Sequence, residues 1–219
     1  MFSAISRRYD LANTVLSLSR DSEWRRRAVR ELGRRRRVID VATGTGELAL
    51  LASEAAELVV GTDFSASMLE IAGEKASERS KRVKLVLCDA HRLCFRRGSF
   101  DGALLAFGLR NFEDMQGALE ELSRVLAPGG KAVILEFTLP PSRVLRRIYS
   151  IYFFHLLPLI GGMLTGRRDA YAYLPASVSE FPPPEHVVEC MKRAGFENVR
   201  VELLTAGIVA MYSGVRKRE

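Results

Sequence analysis

Residues 38–50 read VIDVATGTGELAL, and with two acids further along they are where this chain gathers side chains able to hold a small molecule. Gly44 and Gly46 let backbone approach a ligand closely, while Thr43 and Thr45 add small hydroxyls and amides. Asp40 lies just upstream, inside the apolar run. Asp63, in GTDFSASML, closes a second apolar run, and a carboxylate there can accept both hydroxyls of a ribose. Phe64 and Met68 complete that group. Asp89 with Ala90, in LCDAHRLCF, closes a third run and can address an adenine ring through a carboxylate oxygen and a backbone amide. An aspartate in such a place equally caps a turn.

Three sites of this kind suit an adenosine cofactor. NAD brings a pyrophosphate that needs the longer GxGxxG turn, and here Glu47 and Leu48 follow Gly46 directly. S-adenosylmethionine brings a small zwitterion and a sulfonium, for which a short turn and nearby acids are adequate. The spacing leans toward the methyl donor and leaves the dinucleotide open.

These residues are useful only if strands deliver them to one rim. The β-branched run ending at Ala42 predicts a first strand, followed by a helix over Glu47–Glu54. Further strands are expected over 58–62, 83–88, 100–106 and 132–137, the last fed by a tight turn at APGGK. Helices are expected over 21–32, behind a cap at Ser65, over 113–126 and over 184–194. Strands alternating with helices at this spacing imply βαβ units in a parallel sheet, with ligands bound beyond the strands' carboxyl ends. Residues 199–204 and 208–215 can pair as an antiparallel addition. The expectation is one domain over 1–219, with 143–183 as an inserted substrate cover of helix and loop.

A hydrophobic share of 47% and a charged share of 27% exclude a largely disordered chain. The excess of 33 basic over 26 acidic residues gives +7 and raises a nucleic-acid or anionic-membrane reading. The arginine clusters lack interleaved aromatics, so no nucleic-acid partner is expected. Three cysteines without ligand spacing predict neither structural zinc nor a disulfide framework. The opening MFSAISRRYD shows no apolar signal segment. Residues 148–164, IYSIYFFHLLPLIGGML, fall short of the roughly 20 residues of a span and contain His155 and Pro158.

Several phrases resemble one family closely. VIDVATGTGELAL, GTDFSASML, SFDGALLAFGLRNFED, ALEELSRVLAPGGKAVILEF, YFFHLLPLIG and YAYLPASVSEFP are similar to the UbiE/MenG family of quinone-biosynthesis C-methyltransferases, across nearly the whole chain. The resemblance implies an α/β, class I S-adenosylmethionine-dependent methyltransferase (Rossmann-like) fold, a mostly parallel sheet with an antiparallel C-terminal strand. It implies methylation of a ring carbon of a polyprenyl quinol, with demethylmenaquinol the expected substrate. Carried over, the cofactor positions are Thr45, Asp63, Asp89 and Ala90. Many members have serine where this chain has Ala106, so only backbone contact is expected there, and Glu47 replaces a common Asp. Tyr9 and Asp10 match an N-terminal pair that folds over the cofactor's methionine end.

Carbon methylation by a sulfonium is an in-line displacement, with carbon and methyl held about 3 to 3.5 Å apart in a site without water. A deprotonated ring hydroxyl pushes electron density onto the adjacent carbon, so the quinol and not the quinone reacts. Arg110 is the candidate electrostatic clamp for the developing phenolate, against a structural ion pair with Asp114. Asn111 is the candidate to orient the loop or the ring oxygen. His155 is the candidate base by its titration range, although an apolar run also suits a packing histidine. Phe107, Tyr152, Asp169, Tyr171 and Tyr173 are the candidate substrate contacts. The apolar cover, with arginines at 146, 147, 167 and 168, suggests a cytoplasmic protein touching the inner face of the membrane, as monomer or homodimer. The rivals are another small-molecule methyltransferase of this fold and an RNA-modifying protein.

Overall fold

In the computed structural model, which describes residues 20–79, 82–151 and 177–218, the apolar runs form the expected strands. These are β1 (Arg35–Val41), β2 (Ala56–Asp63), β3 (Val83–Leu87), β4 (Phe100–Ala106), β5 (Leu126–Phe137), β6 (Phe196–Leu204) and β7 (Val209–Arg216). Among the described residues they make a seven-stranded sheet in the order β3-β2-β1-β4-β5-β7-β6. The first five are parallel, and β7 runs antiparallel to both β5 and β6. Strand order reverses between β1 and β4, which opens a crevice at their carboxyl ends.

Helices α1 (Asp21–Leu32), α2 (Glu47–Ala52), α3 (Ala66–Glu78), α4 (Met115–Val125), α5 (Arg143–Ile151) and α6 (Pro184–Arg193) accompany the strands. Period-two alternation sorts the central strands onto two cores. On one face Val38, Leu104, Val133 and Leu135 meet Trp24, Ala28 and Leu32 of α1 and Leu48 and Ala52 of α2. On the other, Ile39, Val41, Leu105 and Ile134 meet Leu119 and Leu122 of α4 and Val187 and Met191 of α6. Each fully buried Leu or Ile contributes about 1.5–3 kcal/mol, so the strands that carry the site are its most firmly held parts.

Two local expectations change. APGGK does not precede β5 but lies inside it: Phe100 pairs with Leu126 and Gly102 with Lys131, so residues 127–130 loop out of a continuous strand. The helix expected from 113 starts at Met115, because Asp114 caps it by accepting from the Gly117 amide at 2.9 Å. Ser65 occupies the cap position of α3 without a capping bond from its side chain. Of the expected cover, 152–176 lies outside the described residues, and with it Tyr152, His155, Asp169, Tyr171 and Tyr173, as does Tyr9. No helix among the described residues is long and apolar enough to cross a membrane.

Candidate cofactor and active site

The crevice is built where two strands end in strain. Ala42, just past β1, has φ 54°, and Phe107, just past β4, has φ 61°. Left-handed backbone is costly for a side chain as bulky as phenylalanine and persists where surroundings impose it. The two turns abut: a Cβ on Gly108 would lie 2.8 Å from the Ala42 Cβ, so only hydrogen fits there. Gly46 meets a similar limit, with φ 81° and an added Cβ 2.9 Å from that of Ala72 on α3. The glycine turn can therefore pack flat against the neighbouring helix.

Asp63 closes β2 inside this crevice and is only 7% exposed. Its Oδ2 accepts from the Gly44 amide at 2.8 Å and its Oδ1 from the Ser65 amide at 3.0 Å. Burial pushes its carboxyl above the ordinary range, partly offset by hydrogen bonds from the Ser65, Gly44 and Phe64 amides. Its carboxylate lines the cleft, with acceptor capacity beyond those amides for a vicinal diol.

Asp40 stands behind the turn. It is 1% exposed, and its Oδ2 accepts from the Thr43 hydroxyl at 2.6 Å. Burial pushes it up to about 7, against the Thr43 hydrogen bond and the attraction of Arg25. Thr43 and Thr45 are also buried. None of these three, nor Gly46, lines the cleft; they shape the turn that presents Gly44. Glu47 binds Lys75 at 2.8 Å and also Arg79, tying α2 to α3. Burial raises its carboxyl, but those two cations outweigh it and hold the group below the ordinary range.

Asp89 is largely exposed, and its Oδ1 takes both the backbone amide and Nδ1 of His91 at 2.9 Å. The amide bond first, then the ring, keeps its carboxyl low. The Asp114 amide donates to His91 Nε2 at 3.4 Å, so the neutral ring carries its proton on Nδ1 and donates to Asp89. His91 thereby links the β3 loop to the cap of α4.

These parts enclose a cleft of about 340 Å³, within the range of small-ligand sites. Asp63, Phe64, Met68, Asp89 and Ala90 form one wall, Ala106, Phe107 and Asn111 the other, with Gly44 between them. Phe64, 71% exposed, stands at the mouth. Ala42, Cys88, His91, Gly108, Phe112 and Glu113 also line it and escaped the sequence reading. Cys88, His91 and Gly108 neighbour residues the reading did select, and that adjacency was their available signal. A carboxylate with acceptor capacity to spare beside apolar walls fits a nucleoside.

Arg110 is not in the cleft wall. Its Nη1 lies 2.7 Å from Oε1 of Glu136, and the two side chains are 5% and 0% exposed. The structural ion pair weighed for Arg110 exists, but its partner is Glu136 and not Asp114, which caps α4. Phe107 is packed on its inner side, stacked on Phe137 at 4.5 Å and edge-on to Trp24 at 6.2 Å, with the Arg25 guanidinium 5.3 Å from its ring centroid. Among the described residues no cluster of His, Cys, Asp or Glu could hold a metal.

A 3-2-1-4-5-7-6 sheet with a nucleoside cleft at its reversal point defines a class I S-adenosylmethionine-dependent methyltransferase. Solved structures agree on the fold. A possible histamine N-methyltransferase from Thermotoga maritima superposes with a TM-score of 0.68 at 20% identity, covering 99% of this chain and 98% of that one. Haemonchus contortus phosphoethanolamine N-methyltransferase 2, in complex with S-adenosylmethionine, gives 0.65 at 17% identity over 90% of this chain and 53% of that one.

Residues 1–216 match the ubiE/COQ5 methyltransferase family, and the chain belongs to it. The chain is 49% identical over 221 residues to the demethylmenaquinone methyltransferase of Thermus thermophilus, covering 99% of this chain and all of that one. It is 44% identical over 223 residues to the ubiquinone/menaquinone biosynthesis C-methyltransferase UbiE of a Geobacter species, covering 99% and 94%.

Proposed function

We propose that the protein transfers the methyl group of S-adenosylmethionine to a ring carbon of a polyprenyl quinol, converting demethylmenaquinol to menaquinol. The observation that carries this is the end-to-end similarity to a demethylmenaquinone methyltransferase at 49% identity. Bound S-adenosylmethionine supplies an electrophilic methyl on a sulfonium. Asp63 holds the ribose diol through its carboxylate, and Asp89 with Ala90 takes the adenine. Gly44 lets the main chain come close to the ligand, and the backbone at Ala106 contacts it from the opposite wall. Phe107, Asn111 and Phe112 bound the cleft on the β4 side, where the ring would lie with its carbon in line and water excluded. The candidate base His155 and the contacts Tyr152, Asp169, Tyr171 and Tyr173 belong to the proposed cover over 143–183.

Helix α5 carries Arg143, Arg146 and Arg147 beside the exposed Val144 and Leu145, a pattern suited to touching an anionic membrane where such a substrate resides. Sedimentation with vesicles tests this part: equal recovery in the supernatant with and without anionic lipid argues against it. The reaction itself is tested by mass spectrometry of quinones from cells lacking and then regaining the gene. A quinone pool lighter by one CH2 in the deletion, restored on complementation, is expected. An unchanged pool overturns the proposal.

A further inference from the structure

Glu136, near the end of β5, is fully buried, does not line the cleft, and yet holds one of its walls. Its Oε2 accepts from the Arg110 amide at 3.0 Å, and its Oε1 accepts from Arg110 Nη1 at 2.7 Å and from the Phe137 amide at 2.8 Å. One carboxylate thus grips both the backbone and the side chain of a single residue. Arg110 passes the grip on. Its Nη1 also donates to the Phe107 carbonyl at 2.6 Å, its Nε to Ser177 Oγ at 3.4 Å, and its guanidinium sits 5.4 Å from the Phe137 ring centroid.

A buried ion pair is weak evidence of a stabilising role, since apolar pairs of similar volume often serve stability as well or better. What this pair adds is shape. Phe107 holds a left-handed φ of 61° that its side chain disfavours, and Arg110 clamps the carbonyl of that same residue. Ala106, Phe107, Gly108 and Asn111, on either side of the clamp, all line the cleft. We propose that Glu136 is a positioning residue for methyl transfer: through Arg110 it fixes the 106–111 turn in the shape that receives cofactor and faces substrate. Arg110, its charge already matched by Glu136, acts from behind the wall. The bond to Ser177 places the chain returning from the cover in register with the same turn.

The test separates shape from stability. Glu136→Gln and the apolar double variant Arg110→Met/Glu136→Leu are compared with the parent by thermal unfolding, by calorimetric titration with S-adenosylhomocysteine well below the melting midpoint, and by turnover. Both variants are expected to bind S-adenosylhomocysteine about tenfold more weakly, the equivalent of one lost orienting hydrogen bond. Turnover is expected to fall about a hundredfold, as for a misplaced reacting geometry. The double variant is expected to do so while melting near the parent midpoint. A double variant with parental affinity and turnover overturns the proposal, because the pair is then only a stability element. Glu136→Gln with parental affinity and turnover overturns it equally, and decides the matter if the double variant does not fold. The turnover arm rests on the quinol reading; the affinity arm does not, so failure of the one is distinguishable from failure of the other.

Discussion

Asp63 and Glu136 are both buried carboxylates at the carboxyl ends of parallel strands, on the two halves of one rim. Asp63 accepts backbone amides and opens onto the cleft. Glu136 accepts two amides and a guanidinium and has no place in the cleft wall. The β1–β2–β3 half is built to receive a ligand, while the β4–β5 half is built to hold its own backbone still. Burial alone does not separate these tasks; whether the carboxylate reaches the cleft does.

The largest expected effect is on the receiving half. Asp63→Ala should weaken binding of S-adenosylhomocysteine by about 2–4 kcal/mol, for two lost charge-assisted hydrogen bonds. Unchanged calorimetric affinity would remove Asp63 from the site. Asp40 sharpens the contrast, because it lies in the same half and yet is closed off. Its folded pKa, about 7, lies above its ordinary 3.8, so the folded state takes up a proton across that window. Its stabilising contribution is complete below the lower value and is lost as pH rises through the upper one. Asp40→Asn should therefore gain on the parent between about pH 4 and about pH 8, the gap in denaturant unfolding widening across that window. A gap that stays constant with pH would contradict it.

Where the halves meet, Gly108→Ala should cost about 1–3 kcal/mol by forcing two Cβ atoms together. Adding Ala42→Gly removes both the clash and the strain at φ 54°, so the double variant should recover most of that loss. Strict additivity in a double-mutant cycle would mean that the turns do not touch. The smallest effect belongs to Tyr212, whose buried hydroxyl makes no hydrogen bond among the described residues. Burial first, then the Glu136 and Glu185 carboxylates, hold its phenol above its ordinary value. Tyr212→Phe should be neutral or stabilising by about 1 kcal/mol in thermal unfolding. A larger loss would reveal a partner for the hydroxyl.

The parallel sheet was legible because each strand announces itself within a few residues and each connection is a helix. Asp63, Asp89 and Gly44 were legible for the same reason: a residue at the end of an apolar run must emerge at the rim. Glu136 was not, since its partner is 26 positions away in the turn after another strand. Asp114 stands close to Arg110 in sequence and offers itself as an ion-pair partner, but the helix cap claims it first. The loop inside β5 escaped because PGG marks a turn without saying whether the pairing resumes on the same neighbour. Thr43 and Thr45 were expected at the cofactor, but both are buried and neither lines the cleft, because spacing alone does not reveal which way a threonine points.

The last strand of the sheet lies second from its edge, with β5 on one side and β6 on the other. Its antiparallel pairing with β5 runs from Val209 to Val215. During synthesis β6 therefore emerges before the strand that joins it to the rest, and waits with both of its edges unpaired. The sheet closes only when residues 209–216 join it, and a chain without them would leave β6 with no neighbour.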